Sequence, residues 1–137
     1  MISDPGLTLY FHSDRIRLRY QTILDLQYPQ YIHLRINRSK KQMFIQRCEK
    51  DMDAFRVIYR KRNSKKDTGI KEQSCHINDR KLLQFLAQVI EVPEDSPSLR
   101  FHGRLLPDGE TIYIDLSRYE VLLNDTEGES GRVLIED

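Results

Sequence analysis

The stretch Tyr31-Ile32-His33-Leu34-Arg35-Ile36-Asn37 alternates apolar and polar side chains more regularly than any other part of the chain. Successive side chains of a β-strand point to opposite faces, so this pattern predicts a half-buried strand whose three aliphatic residues face the core. The polar run at residues 38–41 predicts a turn, and residues 42–48 are predicted to form the partner strand. A β-hairpin over residues 31–48 is therefore the starting point of the predicted fold.

Helical and strand patterns extend the prediction along the rest of the chain. Apolar residues recur at helical spacing from Leu82 to Ile90 behind Asn78 and Asp79, either of which is a good N-cap, so a helix is predicted over residues 79–91. A shorter helix over residues 20–26 must end before Pro29. The further predicted strands cover residues 7–12, 15–19, 55–59, 71–77, 99–106, 111–116 and 118–123. The predicted class is α+β, a mostly antiparallel sheet with two helices on one face.

The order strand, helix, hairpin occurs twice in the chain. An offset of 59 residues aligns apolar positions around the two helices, and an offset of 69 aligns the hairpins, pairing His33 with His102 and Arg35 with Arg104. This indicates two β-α-β-β units, residues 7–60 and 71–123, within one domain over residues 1–123. When the units join edge to edge, alternation places both His-x-Arg pairs on the solvent face opposite the helices.

Composition limits the class of protein. With 137 residues, 39% hydrophobic and 31% charged, the chain suits one globular domain rather than a disordered protein. No apolar run is long enough to span a membrane, and the first residues do not resemble a signal peptide. Two cysteines are too few for a disulfide scaffold, so a reducing, cytoplasmic location is expected.

Charge is distributed unevenly along the chain. Residues 1–80 hold 17 Lys and Arg against 9 Asp and Glu, a net charge of +8, whereas residues 81–137 hold 5 against 12, a net charge of −7; the two sum to the overall +1. Residues 124–137 form an acidic C-terminal tail. Such asymmetry is typical of a surface for a polyanion, although opposite charges within one fold also simply keep a protein soluble.

Catalytic, cofactor and metal motifs are not found. The six glycines are scattered and form no phosphate-binding loop. Asp51-x-Asp53 and Asp108-x-Glu110 have the composition of turns, where acidic residues are common. Cys48, Cys75 and His76 lack the spacing of a metal motif. The sequence thus predicts a protein that is not an enzyme, with no catalytic residues, no metal and no cofactor.

The strongest functional indication is a set of cations expected on the outward sheet face and in a basic loop, with Tyr10, Tyr31 and Tyr113 among them. Guanidinium groups pair with phosphates, and aromatic rings stack on bases. The sequence therefore predicts a module that associates with DNA or RNA in a regulatory or accessory role. The candidate nucleic-acid-binding residues are Arg15, Arg17, Arg19, His33, Arg35, Arg56, Arg60, Lys61, Arg62, Lys65, Lys66, His102 and Arg104.

Residues 26–46, LQYPQYIHLRINRSKKQMFIQ, resemble a pattern of small uncharacterised proteins of low-GC Gram-positive bacteria, some of them encoded on phages or integrative elements. The shared features are a short helix, Tyr28-Pro29-x-Tyr31, and a hairpin whose turn ends in a basic pair. The resemblance covers about a sixth of the chain. It implies a bacterial, cytoplasmic and mobile-element setting, and it assigns no functional residue.

Two other functions stay open at this point. The chain is also compatible with a protein-interaction or homo-oligomerisation module that uses sheet edges and residues 133–135, or with the acidic tail folding over the basic face as a mimic of nucleic acid. A small enzyme would require a cleft that gathers His33, His102 and a carboxylate such as Asp115. No membrane partner is expected.

Overall fold

The structure, a computed structural model, describes residues 4–61, 73–122 and 133–134. The helices are α1 (Tyr20–Asp25) and α2 (Arg80–Ile90), and a short 3-10 turn covers Phe11–Ser13. The strands are β1 (Gly6–Tyr10), β2 (Arg15–Leu18), β3 (Tyr31–Asn37), β4 (Gln42–Cys48), β5 (Phe55–Arg56), β6 (Ile58–Lys61), β7 (Gln73–Asn78), β8 (Ser98–Leu105), β9 (Thr111–Asp115), β10 (Glu120–Leu122) and β11 (Val133–Leu134).

All strand pairs are antiparallel, in the order β5-β3-β4-β9-β8-β1-β2-β7-β6, with β10 added to β8 and β11 added to β10. The two ends of this order, β5 and β6, are separated in sequence by Val57 alone. The N–H of Val57 leaves the ladder and donates to the Gln30 carbonyl at 2.9 Å. The strand predicted as one piece at 55–59 is therefore interrupted at Val57, and its two parts pair at the two ends of the strand order, β5 with β3 and β6 with β7.

One hydrophobic cluster covers one side of this sheet. Alternate residues of every long strand belong to it, for example Leu7 and Leu9 of β1 and Met43 and Ile45 of β4, each fully buried. The apolar faces of both helices join the same cluster, with α1 contacting β1 and β7 and α2 contacting β2. Burying a single such side chain stabilises the fold by roughly 1.5–3 kcal/mol. A mostly antiparallel α+β fold with two helices is thus confirmed.

Helix α2 begins and ends where its sequence requires. The Asp79 carboxylate accepts a hydrogen bond from the Leu82 N–H at 2.9 Å, which satisfies one of the free N–H groups of the first turn. Glu91 ends the helix in the left-handed conformation with a φ of 67°. The predicted range of 79–91 is therefore the helix plus its two caps.

Helix α1 is attached to β1 through a reciprocal pair of hydrogen bonds. The Gly6 N–H donates to Thr22 Oγ1 at 2.7 Å, and the Thr22 hydroxyl donates to the Gly6 carbonyl at 2.7 Å. The hydroxyl is fully buried, so both of its roles are satisfied within the protein. This pair of hydrogen bonds holds α1 against β1.

Candidate functional site

Four outward side chains form a continuous row across β3, β4, β9 and β8. Arg35 lies opposite Phe44, Phe44 opposite Tyr113, and Tyr113 opposite Arg104. The neighbours of the two aromatic residues, Met43, Ile45, Ile112 and Ile114, are fully buried, so alternation turns Phe44 and Tyr113 away from the core, and strand pairing places Arg35 and Arg104 on the same side. We call this set the aromatic–arginine row.

The geometry of the aromatic–arginine row combines ring faces with cations. The Phe44 and Tyr113 ring centroids are 5.4 Å apart with planes inclined by 50°, and the Arg104 guanidinium carbon lies 5.3 Å from the Tyr113 centroid. Both rings are half-buried, whereas Arg35 and Arg104 are exposed. Among the described residues, neither guanidinium forms an ion pair with a carboxylate. Such an arrangement can stack planar groups and bind anions.

An open cleft of about 840 Å³ borders the row beside Arg35 and Phe44. Its far side is formed by Asp108 and Thr111. Hydrogen bonds from the Glu110 N–H and then the Thr111 hydroxyl and N–H hold the pKa of the Asp108 carboxyl below its usual range. This carboxylate is ionised at neutral pH and is already occupied by the turn that it closes.

His33 lies on the same outer side as the row and is held by a carboxylate. Its Nε2 donates to Asp51 Oδ2 at 2.7 Å, and Asp51 Oδ1 accepts the Asp53 N–H at 2.8 Å. The pKa of the Asp51 carboxyl is lowered, mainly by the hydrogen bond from the Asp53 N–H and further by the His33 ring. The turn at Asp51-x-Asp53, expected from composition alone, thus also orients a histidine.

His102 is in a more crowded position on β8. Its Nδ1 accepts a hydrogen bond from Arg19 at 3.1 Å, and its Nε2 donates to Glu120 at 2.9 Å. Glu120 also lies 3.8 Å from the Arg100 guanidinium. Both ring nitrogens of His102 therefore have protein partners, which leaves no nitrogen free for an incoming phosphate.

The remaining predicted arginines of the first half lie on a different part of the outer side. Arg17 lies opposite Thr8 on β1 and His76 on β7, and those two neighbours are only 5% and 2% exposed. Arg15, Arg17 and Arg19 are half-buried. The expectation of one evenly solvated face for all outward cations is therefore wrong in part: Arg35 and Arg104 are exposed, whereas Arg15, Arg17 and Arg19 are half-buried beside buried neighbours.

Three of the other candidate cations lie on β5 and β6. Arg56 of β5 is exposed and lies opposite Tyr31. Arg60 and Lys61 belong to β6. The predictions for Arg62, Lys65 and Lys66 in the basic loop, and for residues 124–132 of the acidic tail, fall outside the described residues.

Sequence reasoning missed several residues of this surface. Phe44 completes the row, yet only its alignment with Tyr113 at the 69-residue offset indicated it. Asp51 and Glu120 hold the two histidines, and both lie 18 residues after their histidine. That equal spacing was the available signal.

The chain matches no known protein-family model, and comparisons with curated proteins and with solved structures also find no match. Within the described residues, no helix has the length and apolarity needed to cross a bilayer.

Proposed function

We propose that this protein is a non-enzymatic module that binds single-stranded nucleic acid along the aromatic–arginine row. The observation on which this rests is the uninterrupted sequence Arg35, Phe44, Tyr113, Arg104 across four neighbouring strands. Bases stack on half-exposed aromatic rings, while guanidinium groups at each end contact phosphates. Unpaired bases have free faces for such stacking, so single strands suit this surface better than a duplex.

The electrostatics of the described surface support the same proposal. Asp108 is bound by its own turn, and Asp115 accepts hydrogen bonds from the Ser117 hydroxyl at 2.6 Å and N–H at 3.0 Å. The serine hydroxyl is the main cause that lowers the pKa of the Asp115 carboxyl. These acids are thus engaged locally, and the two arginines of the row are available to phosphate. Arg56, which lies opposite Tyr31, adds an exposed cation on the same side of β5.

The test is fluorescence anisotropy of labelled single-stranded DNA, single-stranded RNA and duplex DNA at low and moderate salt. We expect saturable single-strand binding that weakens as salt rises, because phosphate contacts release counterions. The double substitution Arg35→Ala/Arg104→Ala should weaken it at least tenfold and flatten the salt dependence. Arg80→Ala/Lys81→Ala, which removes two exposed charges from α2, is the matched control and should retain binding.

Two results would contradict the proposal. One is the absence of binding by the unmodified chain at tens of micromolar. The other is an equal loss in both double variants, because that outcome would indicate attraction by net charge without a site. A preference for RNA or for DNA would decide between the two nucleic acids.

The fold disfavours the alternative of partner recruitment through sheet edges. Residues 55–61 pair with β3 at one end and β7 at the other, so the two ends of the strand order are joined by one bent segment. Val133 and Leu134 pair with β10 of their own chain. Few strand edges are therefore left within the described residues for β-augmentation. Sedimentation that gives a monomer would agree with this interpretation.

We also infer that the fold arose by internal duplication. Adding 69 to both members of Arg35–Phe44 gives Arg104–Tyr113, so the two hairpins share one register. The strands that join the units pair at aligned residues, Phe44 with Tyr113 at the 69-residue offset and, at the 59-residue offset, Arg17 with His76. Such self-pairing is the signature of a two-fold relation between units. A two-fold axis through the row would place Arg35 and Arg104 symmetrically.

A further inference from the structure

We propose that His33, Cys48 and Asp51 form a binding site for a divalent transition-metal cation of the zinc class. The Nε2 or Nδ1 of the histidine, the Sγ of the cysteine and a carboxylate oxygen of the aspartate all lie within 4.8 Å of one another. His33 and Cys48 are half-buried and Asp51 is exposed, so an ion can enter from solvent. This site is separate from the aromatic–arginine row and does not depend on the proposed function.

The hairpin and its following turn bring the three donors together. His33 lies opposite Gln46 and Cys48 lies opposite Tyr31, which places the imidazole and the thiol diagonally on the outer side of β3 and β4. Asp51 then reaches back from the turn after β4. Its Oδ1 is held by the Asp53 N–H at 2.8 Å, while its Oδ2 faces His33. The backbone thus orients the carboxylate toward the other two donors.

The donor chemistry selects the class of metal. A nitrogen, a sulfur and an oxygen suit Zn²⁺, whereas Mg²⁺ and Ca²⁺ prefer oxygen donors alone. With metal–ligand bonds of about 2.0–2.3 Å, tetrahedral ligands sit roughly 3.3–3.8 Å apart. Donors at the 4.8 Å limit therefore need to close by about 1–1.5 Å, whereas His33 Nε2 and Asp51 Oδ2, 2.7 Å apart, need to open slightly. Three protein ligands leave a fourth position for water or a ligand.

The second half of the chain offers an internal comparison. At the 69-residue offset, His102 and Glu120 correspond to His33 and Asp51, but Ser117 takes the position of Cys48. The second pair therefore lacks the thiol, and its histidine is already bound by Arg19 through Nδ1. We expect the metal to bind at the first pair alone, which makes His102→Ala the matched control for His33→Ala.

The experiment uses the full chain, reduced and freed of metal, with Zn²⁺ and Co²⁺ as probes. Competition with a chromogenic chelator measures the Zn²⁺ affinity and stoichiometry. Co²⁺ titration shows a thiolate-to-metal charge-transfer band when cysteine is a ligand. We expect one equivalent per chain, a clear cobalt–thiolate band and a rise of the melting temperature with zinc, since a ligand that binds the folded state stabilises it.

The variants decide where the metal binds. Cys48→Ser should abolish the charge-transfer band, and Cys48→Ser, His33→Ala and Asp51→Asn should each weaken zinc at least tenfold. His102→Ala and Cys75→Ala should retain wild-type zinc affinity and the band. Far-UV circular dichroism checks that each variant is folded. The proposal is overturned if the wild-type chain binds no stoichiometric zinc, if Cys48→Ser keeps the band, or if His102→Ala loses as much affinity as His33→Ala.

Discussion

The outer side of β3, β4 and β9 and the outer side of β1, β2 and β7 obey the same alternation but differ in how deeply some of their residues are buried. On the first, Arg35 is exposed and Phe44 and Tyr113 are half-exposed. On the second, Thr8 and His76 are almost completely buried between their neighbours. We call these the exposed wall and the covered wall. β8 runs through both, pairing with β1 by residues 99–102 and with β9 by residues 103–105.

This contrast teaches that strand parity and solvent access are separate properties. Parity is set locally, because each residue of a strand points opposite to the one before it. Access depends on what else packs nearby, which distant parts of the chain decide. We therefore expect substitution of a cation on the covered wall to affect mainly stability, and substitution of a cation on the exposed wall to affect mainly the proposed binding.

The largest expected effect is on the covered wall, at Gly6. A Cβ added there would lie 2.1 Å from the Phe101 carbonyl oxygen, and this backbone cannot move without breaking the β1–β8 ladder. We expect Gly6→Ala to lower the free energy of unfolding by about 3 kcal/mol in urea denaturation.

Gly109 provides the matched glycine, in the turn before β9. Its φ is +71° and nothing lies within 4 Å of an added Cβ, so Gly109→Ala bears only the cost of the left-handed backbone, about 1–2 kcal/mol. If Gly6→Ala and Gly109→Ala lowered the free energy of unfolding equally, the close approach of β1 to the Phe101 carbonyl would be contradicted.

The next effect concerns the exposed wall and is measured on binding. Tyr113→Leu removes the ring that contacts both Phe44 and Arg104, and we expect about tenfold weaker single-strand binding, since one stacked base is worth about 1–3 kcal/mol. Tyr113→Phe keeps the ring and should bind like the wild type. Tyr10→Leu, on β1, should leave the affinity unchanged. Anisotropy titrations that rank these three variants differently would reject the stacking role.

A smaller effect is expected at alkaline pH, through Cys75 in the hydrophobic core and Tyr59 packed against it. Burial raises the pKa of the Cys75 thiol to about 11 and that of the Tyr59 hydroxyl to about 12. A raised pKa favours the protonated group in the folded state, so its stabilisation is present below the ordinary pKa and is lost as pH rises through the folded value. We therefore expect stability to fall between about pH 9 and pH 12.

Chemical denaturation across that range checks this expectation. Cys75→Ala should lose less stability than the wild type between about pH 9 and pH 11, whatever its stability at neutral pH. Parallel curves for the two proteins would show that the buried thiol does not titrate with unfolding.

The smallest effect is expected at acid pH and concerns Asp108, in the turn before β9 that borders the exposed wall. The pKa of Asp108 is lowered by hydrogen bonds to Glu110 and Thr111, so its stabilisation is present above the ordinary aspartate pKa and is lost as pH falls through the lowered value. Asp108→Ala should therefore flatten the loss of stability below about pH 4, with little effect on α2. An unchanged acid limb of the denaturation profile would exclude this turn as its source.

Local patterns predicted several elements correctly. The hairpin strands β3 and β4 begin and end at the predicted residues, because strict alternation and a polar turn leave one register that turns all the aliphatic residues toward the core. The range predicted for helix α2, residues 79–91, agrees with the observed helix and its two capping residues. The strand at 55–59 was predicted as continuous, since its alternation is regular, but closure against Gln30 bends it at Val57.

The site was predicted in part for the same reason. Alternation correctly assigned Arg35 and Arg104 to the outer side. It did not indicate that Arg17 lies beside buried neighbours, or that Cys48 and Asp51 lie near His33. These contacts arise from diagonal positions on neighbouring strands, from the pairing of strands distant in sequence, and from a turn that folds back over the hairpin. None of these leaves a periodic pattern in the sequence.

The sequence by itself determined which residues form strands, where α2 is capped, and which side chains point away from the core. These follow from short-range sterics and from the need to bury aliphatic groups on one face. Only the tertiary structure decided which outward residues meet solvent and which donors meet one another. Those outcomes depend on long-range strand pairing and sheet curvature, which place residues far apart in sequence within a few ångströms.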